Sequence, residues 1–517
     1  MSVQTTPPAA RERVRFATEA PRRHPVPHAA GPESRRVPWR LIGLTAVLTA
    51  AAALLIHSAV QPVEGAGGAP TPAVALTIGV FLVAVWAWSA TRLDDTLVAL
   101  FASIALILLG VLPASQFFAS LGDETIWLLV GAFVIAAGVS ASGLALRGAA
   151  MMLQHARGPR SLFHLTTVAL TLTAFAIPAT SGRAALAVPV FTAVQTALPG
   201  RARLLRAYAL LVPTVVLLSA VASLLGAGAH VITDQLLRAA GEPGFGFVGW
   251  LWLGLPLAVV SSHVACEIIL LRFADRAERT VPLRVDAAAF RDTGGRISGP
   301  LRPAERRAGL VLISVVLLWS TTSVHQLPPA LVALLGAVAV VTPGIGCTTL
   351  PAAVKTVPWG LLLFLAATLA LASALTGSGA AEWLGGAALA PLSGLGHGGA
   401  IGFVLVVIVS STAAHLLIPS RSARSAALIP VVIAIAPAVG VEPMAAAFAS
   451  TAAAGFCHTL PSSAKPVAMF ADPEVVHGGF TAADLRRLST VLAPVMVALV
   501  ALFSFAVWPA MRMPMLR

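Results

Sequence analysis

The sequence predicts an all-α polytopic membrane protein of about eleven transmembrane helices in two inverted repeats, each with a re-entrant hairpin and a broken helix. Three observations predict it. Only 11% of the 517 residues are charged and 57% are hydrophobic, whereas soluble chains carry about 25% charged residues. Apolar stretches recur from about residue 41 to about residue 509, each near the ~20 residues that cross a bilayer as a helix. A proline-bounded motif near residue 180 returns near residue 420. The spans must be helical, because lipid offers backbone amides no partner. This composition excludes a soluble enzyme, a disordered chain and a disulfide scaffold.

Residues 1–40 hold Arg11, Arg13, Arg15, Arg22, Arg23, Arg35, Arg36 and Arg40 among many prolines. They read as a disordered basic cytoplasmic tail, too long and proline-rich for a signal peptide. Residues 41–271 form the first transmembrane repeat with an N-terminal extra span. Its spans fall near 41–60, 72–91, 95–113, 125–145, 207–237 and 249–271, with a segment 162–199 broken by Pro178 and Gly182. Residues 272–307 are a charged cytoplasmic linker in which nothing looks catalytic. Residues 308–517 form the second, inverted repeat. Its spans fall near 308–325, 328–345, 358–377, 443–472 and 488–509, with a broken segment 399–440 containing Pro419 and Pro430.

Charge placement supports this path. Basic residues exceed acidic ones by 34 to 21, a net +13, and the arginines cluster between spans, facing cytoplasm and anionic lipid rather than nucleic acid. If both broken segments enter and leave on one side, Arg92, Arg147, Arg157, Arg160, Arg201, Arg203, Arg206, the arginines of 272–307, Lys355, Arg486 and Arg487 all fall inside. The N-terminus is then cytoplasmic and the C-terminus external, with Arg238, Arg512 and Arg517 as exceptions.

The repeat is visible residue by residue. Pro178–Pro189 aligns without gaps on Pro419–Pro430, which brings Arg183 onto Arg424. Upstream, Ser142-Gly143 corresponds to Thr376-Gly377. Downstream, Leu224–His230 corresponds loosely to Leu460–Pro466. Interrupted segments in two inverted halves are the sign of a secondary transporter with a site near the midplane.

The candidate substrate-binding residues lie at these interruptions. Thr180, Ser181, Gly182 and Arg183 form one hairpin tip, and Ser420, Arg421, Ser422 and Arg424 the other. Small residues let unpaired amides approach a ligand. The second arm of each hairpin presents free N–H groups and a positive dipole end, an anion-binding arrangement. The arginines add full charges that would be costly to bury without function. Gly226, Ala227 and Gly228 break one span. Ser462, Ser463, Ala464 and Lys465 break the other. His230 and His415 are the candidates for proton coupling. His164, His263 and His458 read as satisfied packing residues, and Glu267 as paired with Arg272. Trp127 and Trp359 read as interfacial belt residues. Cys266, Cys347 and Cys457 lack paired or metal-type spacing. No catalytic residue, metal site or cofactor is expected: HExxH, GxxxxGK[ST] and paired intramembrane carboxylates are absent.

Over roughly residues 70–510 the chain resembles the divalent anion:sodium symporter (DASS) family. The family's hairpin tips read Ser-Asn-Thr with a proline ten residues on. Here Ala179-Thr180-Ser181 precedes Pro189, and Ser420-Arg421-Ser422 precedes Pro430. Ile126–Gly131, Pro358–Phe364, Trp383-Leu384 and Leu460–Pro466 are also family-like. The resemblance implies divalent anion substrates such as dicarboxylates, citrate or sulfate, elevator-type alternating access, a homodimer, lipid contact and a bacterial inner-membrane location. Both asparagines are replaced, by Thr180 and Arg421, and Arg183, Arg424 and Lys465 add positive charge beside the positions where the family binds sodium. The expectation is therefore an anion transporter without obligatory sodium, its coupling cation (sodium or proton) left open. The alternatives are an oxyanion efflux permease of the same superfamily and a non-transporting receptor or enzyme.

Overall fold

The computed structural model describes residues 70–91, 93–285, 290, 299–389 and 396–517. The tail 1–40 and the first span, 41–60, lie outside the described residues, as does Arg92. No strand occurs among the described residues, only a bridge between Val441 and Leu516. Eight helical stretches among them are long and apolar enough to cross a membrane, and shorter apolar helices accompany them.

Twenty helices carry the architecture. In the first half these are α1 (Pro72–Ala90), α2 (Asp95–Leu108), α3 (Ala114–Ser120), α4 (Glu124–Ser142) and α5 (Leu144–Leu153). They continue as α6 (Pro159–Ala176), α7 (Thr180–Thr196), α8 (Ala202–Leu218), α9 (Gly228–Ala239) and α10 (Phe247–Phe273). The second half has α11 (Pro303–Ser320), α12 (Pro329–Val341), α13 (Leu350–Thr356), α14 (Trp359–Gly377) and α15 (Ala380–Leu389). It ends with α16 (Gly396–Ala413), α17 (Arg421–Ile435), α18 (Pro443–Ala453), α19 (Lys465–Ala471) and α20 (Ala482–Leu502). Each helix of the first half has its counterpart ten labels later. Packing repeats too: α4 lies on α12 as α14 lies on α2, α4 on α13 as α14 on α3, and α6 on α8 as α16 on α18.

The starts are locally encoded. Asp94 accepts from Thr96 N and Leu97 N, and Asp123 accepts from Thr125 N, so short polar side chains satisfy donors the helix leaves free. Ser420 does the same for α17 through Ala423 N at 3.3 Å. Gly143 ends α4 at φ +80°, and Gly379 stands between α14 and α15 at φ +79°, a conformation only glycine adopts cheaply. The structural partner of Gly143 is therefore Gly379 rather than Gly377, because Gly377 is still helical.

The halves interlock through exchanged half-helices. The span expected at 207–237 is split into α8 and α9, and that at 443–472 into α18 and α19. Helix α8 packs on the first hairpin, α6–α7, while α9 packs on α17 of the second. Reciprocally, α18 packs on the second hairpin and α19 on α7 and α8. Two of the three charge-rule exceptions are paired: Arg238 with Asp234 at 3.0 Å and Arg517 with Glu442 at 2.6 Å. Trp127 and Trp359, 49% and 51% exposed, suit an interfacial belt.

Candidate functional site

Each hairpin meets the end of a half-helix through an arginine. Arg183 is 0% exposed. Its Nε donates to Thr173 Oγ1 (2.9 Å), Nη1 to Val216 O (3.0 Å), and Nη2 to Leu170 O and Ser219 Oγ (both 2.6 Å). Thr173 and Leu170 belong to α6. Val216 lies at the C-terminal end of α8, where carbonyls lack helical donors and carry the negative dipole end, and Ser219 follows directly. Arg424, also 0% exposed, repeats the arrangement. Nη1 donates to Ile418 O (3.3 Å), and Nη2 to Ala454 O (3.3 Å) and Cys457 Sγ (2.7 Å). Ala454 directly follows α18. Both charges are thus compensated by oxygens and sulfur of the fold, with about 1.5–3 kcal/mol per hydrogen bond to a charged group. Both guanidinia hydrogen-bond the protein. Four bonds occupy the fork of Arg183. Arg424 retains a buried Nε without a partner.

The two breaks share one backbone course. Ser223 is extended (φ −133°, ψ 141°), Leu224–Gly226 form a single 3-10 turn, Ala227 is extended (φ −157°, ψ 150°), and α9 begins. Leu460 (φ −125°, ψ 145°), Pro461–Ser463 and Ala464 (φ −160°, ψ 147°) lead identically into α19. Leu224 therefore matches Pro461, one residue on from the register suggested by the sequence. Sequence alignment follows side chains, whereas the repeat here conserves backbone path: glycines make one turn, proline and serines the other.

Arg421 differs from its neighbours. It opens α17, and its guanidinium makes no hydrogen bond to any described residue, although Nε and Nη1 are buried. A buried donor left unpaired costs about 1–3 kcal/mol, more when charged. Around it lie Gly455, whose Cβ position would be 3.8 Å from Nη2, and Arg183, His230 and His458 within Coulomb range. Ser425 Oγ, His230 Nε2 and His458 Nε2 are likewise buried without partners. Gly228 faces Ser422: a Cβ there would meet Ser422 Oγ at 3.3 Å and Leu361 Cδ1 at 2.9 Å. The N-termini of α9 and α17 thus meet beside a free guanidinium, an anion-binding combination.

The remaining candidates divide by exposure. Thr180, Ser181, Ser420, Ser422 and Gly228 are half-buried, and Gly182, Ser462 and Lys465 are exposed. Gly226, Ala227, Ser463 and Ala464 are buried, and they shape the breaks. Asp95, which sequence reasoning missed, faces the Ser420 hydroxyl and lies within Coulomb range of Lys465. Thr173, Ser219 and Cys457 were missed too. Ser219 ends a half-helix, a readable signal, but nothing local marks the other two.

The histidines proposed for proton coupling are structurally engaged. His230 Nδ1 bonds Ser223 O (3.0 Å) and its ring stacks on Trp250 at 5.0 Å. His415 contacts Thr412 O (2.7 Å) and Thr459 Oγ1 (2.8 Å) through its two nitrogens. Both nitrogens of His415 thus serve local bonds. Glu267 pairs with Arg160 (2.7 Å) and His164 (2.6 Å) rather than Arg272. Five residues along a helix turn a side chain about 140° away. His164 and His263 are not isolated packing residues, since their Nδ1 atoms lie 2.7 Å apart. No group of three or more potential metal ligands occurs among the described residues.

A family model described as the sodium:sulfate symporter transmembrane region matches residues 46–513. A membrane protein of Cupriavidus necator is 23% identical over 415 residues, covering 75% of this chain and 78% of its own. The crystal structure of the Alcanivorax borkumensis YdaH transporter, described as having an unusual topology, is similar in fold. It superposes at a TM-score of 0.52 with 13% identity, over 86% of this chain and 100% of the other.

Proposed function

The chain belongs to the sodium:sulfate symporter transmembrane family, and from that premise we propose that it is a secondary transporter of divalent anions without obligatory sodium. Arg421 is its anion-facing charge, and Arg183 and Arg424 stand where mobile cations would be held. One observation carries this reading: Arg421 keeps two buried N–H groups with no protein partner, at the meeting point of two helix N-termini. A carboxylate or sulfate oxygen supplies what those donors lack, in the bidentate geometry guanidinium favours. Ser420, Ser422 and Thr180 offer neutral hydrogen bonds, and Lys465 a second charge for a dianion.

The sodium argument is electrostatic. Carbonyl and hydroxyl oxygens from Leu170, Thr173, Val216 and Ser219 converge on Arg183. Oxygen donors of this kind suit a hard cation, and here a guanidinium fills the place. A sodium ion about 4 Å away would be repelled by about 4 kcal/mol at an effective dielectric near 20. The positive charge is therefore built in, which fits exchange, uniport or proton-linked transport.

The exchanged half-helices support treating both hairpins with α8, α9, α18 and α19 as one moving unit, as in an elevator, with the hairpins re-entrant. A homodimer in a bacterial inner membrane, N-terminus inside and C-terminus outside, completes the proposal. The test is uptake of labelled sulfate, succinate, malate and citrate into proteoliposomes with sodium replaced by choline. Saturable flux of one of these anions in choline is expected, lost in Arg421→Ala. Flux that strictly requires sodium, or survives Arg421→Ala unchanged, would overturn the reading.

A further inference from the structure

A second polar cluster lies apart from the arginines, between the first arm of hairpin one and α10. Glu267 Oε1 accepts from Arg160 Nε at 2.7 Å and lies 2.6 Å from His164 Nε2. His164 Nδ1 lies 2.7 Å from His263 Nδ1, and the two rings stack at 5.0 Å with 23° between planes. His164 and Glu267 side chains are 30% and 29% exposed, and Arg160 is 74% exposed.

The proton positions follow from the donor inventory. An ionised carboxylate only accepts, so His164 carries its proton on Nε2. Its Nδ1 is then an acceptor, and His263 must donate from Nδ1. Every nitrogen of the pair has a role except His263 Nε2, which is where one further proton enters. After it enters, His263 still donates to a neutral His164, and Glu267 supplies the nearby negative charge. A third proton state, with both rings cationic, would set two N–H donors against each other at 2.7 Å. The cluster is therefore built to hold one extra proton and to resist a second. Arg160 from α6 and the Cys266 thiol from α10 are the other ionisable groups that interact with it. The nearby arginines of α8, Arg203 and Arg206, are engaged with Asp275 and Asp484. From α20, Arg487 lies over the Phe273 ring, at the far end of α10.

We infer that His164, His263 and Glu267 form a proton-binding site that links hairpin one and α10 to the pH at the arginine-rich face of the protein. Its effect on transport rests on the transporter reading above. Helix α6 supplies Thr173 and Leu170 to Arg183, so a change of charge on α6 acts on the hairpin that Arg183 holds. Arg160, His164 and Glu267 are each partly exposed, and neither His230 nor His415 is needed for the site.

Site-resolved hydrogen–deuterium exchange at the imidazole C2 position, read by mass spectrometry on the full chain in nanodiscs, tests this directly. Across about pH 5–9, the exchange profiles of His164 and His263 should be interdependent, as those of coupled sites are. His263→Gln should change the profile at His164, and Glu267→Gln should change the profile of the pair. Two mutually independent curves at His164 and His263 would overturn the inference, as would a pair unaffected by Glu267→Gln. In proteoliposomes, anion flux should vary with pH by up to about tenfold per unit, the limit for one proton, and His263→Gln should be flat to within about twofold over that range. A pH profile unchanged in His263→Gln would also count against it. Absence of flux at every pH in the wild type would sink the transporter reading instead, and would leave the titration result standing.

Discussion

Three arginines within one protein core have three different surroundings, and those surroundings decide their roles. Arg421 has unpartnered buried donors, so Arg421→Lys should retain some anion affinity, because a point charge replaces a fork, and Arg421→Ala should retain none. Equilibrium binding of the transported anion, by calorimetry, distinguishes them. Loss of the Ser420 or Ser422 hydroxyl should weaken binding only mildly, by about 1 kcal/mol or roughly fivefold. Arg183 behaves otherwise. Arg183→Ala leaves the oxygens of Leu170, Thr173, Val216 and Ser219 without their donor, so flux in choline should be lost while membrane insertion remains intact. If this guanidinium replaces a mobile cation, sodium added to the variant should restore part of the flux and raise its melting temperature. Failure of sodium to do either would give the oxygens a purely structural purpose. Sequence made the position of Arg183 and Arg424 legible, because they share a repeat register, but not their partners. Val216 is 33 residues from Arg183, and Ala454 is 30 from Arg424.

Among the elements, helices from opposite halves pack through small residues. Gly131 of α4 lies so near α12 that a Cβ would sit 2.7 Å from the Ala333 carbonyl carbon. Gly336 of α12 faces side chains instead, Val315 Cγ2 at 2.5 Å and Ile135 Cδ1 of α4 at 2.8 Å from its Cβ position. Close backbone approach through glycine is how membrane helices gain packing where lipid removes the hydrophobic drive. Gly131→Val should therefore separate α4 from α12 and lower the melting temperature markedly, because the obstacle is backbone and cannot swing aside. Gly79→Val, with nothing within 4 Å of its Cβ position, should leave it nearly unchanged. The breaks are the other lesson at this level. Gly226 and Pro461 signal interruption in a sequence, yet the shared course of extended residue, 3-10 turn and extended residue becomes visible only as dihedral angles. That is why the repeat register shifted by one residue at Leu224 and by two at Gly143.

For the molecule as a whole, the two halves are joined by more than a linker. Arg147 of α5 donates to Glu305 at 2.8 Å and bonds Gly299 O, with both charged side chains buried. Breaking a buried pair leaves one charge uncompensated, at about 3–5 kcal/mol, whereas replacing both partners with apolar residues is often neutral. Arg147→Ala and Glu305→Ala should each destabilise strongly, and Arg147→Met with Glu305→Leu should recover most of the loss. Thermal unfolding of the purified protein measures all three. The pair sits where the first half hands over to the second, near the start of α11, and the linker sequence alone gives no hint of its burial.

The sequence by itself determined that this chain is a helical membrane protein with two related halves, because span length, interruption by glycine or proline and arginine placement are local properties of the chain. It also determined which positively charged residues stand at the interruptions. Only the tertiary structure decided which of them are already satisfied and which is free. That outcome depends on carbonyls, hydroxyls and a thiol brought in from distant segments, as it does for the facing rings of His164 and His263, which are 99 residues apart. Hydrogen-bond partners are set by folding in three dimensions, and a linear pattern carries no record of them.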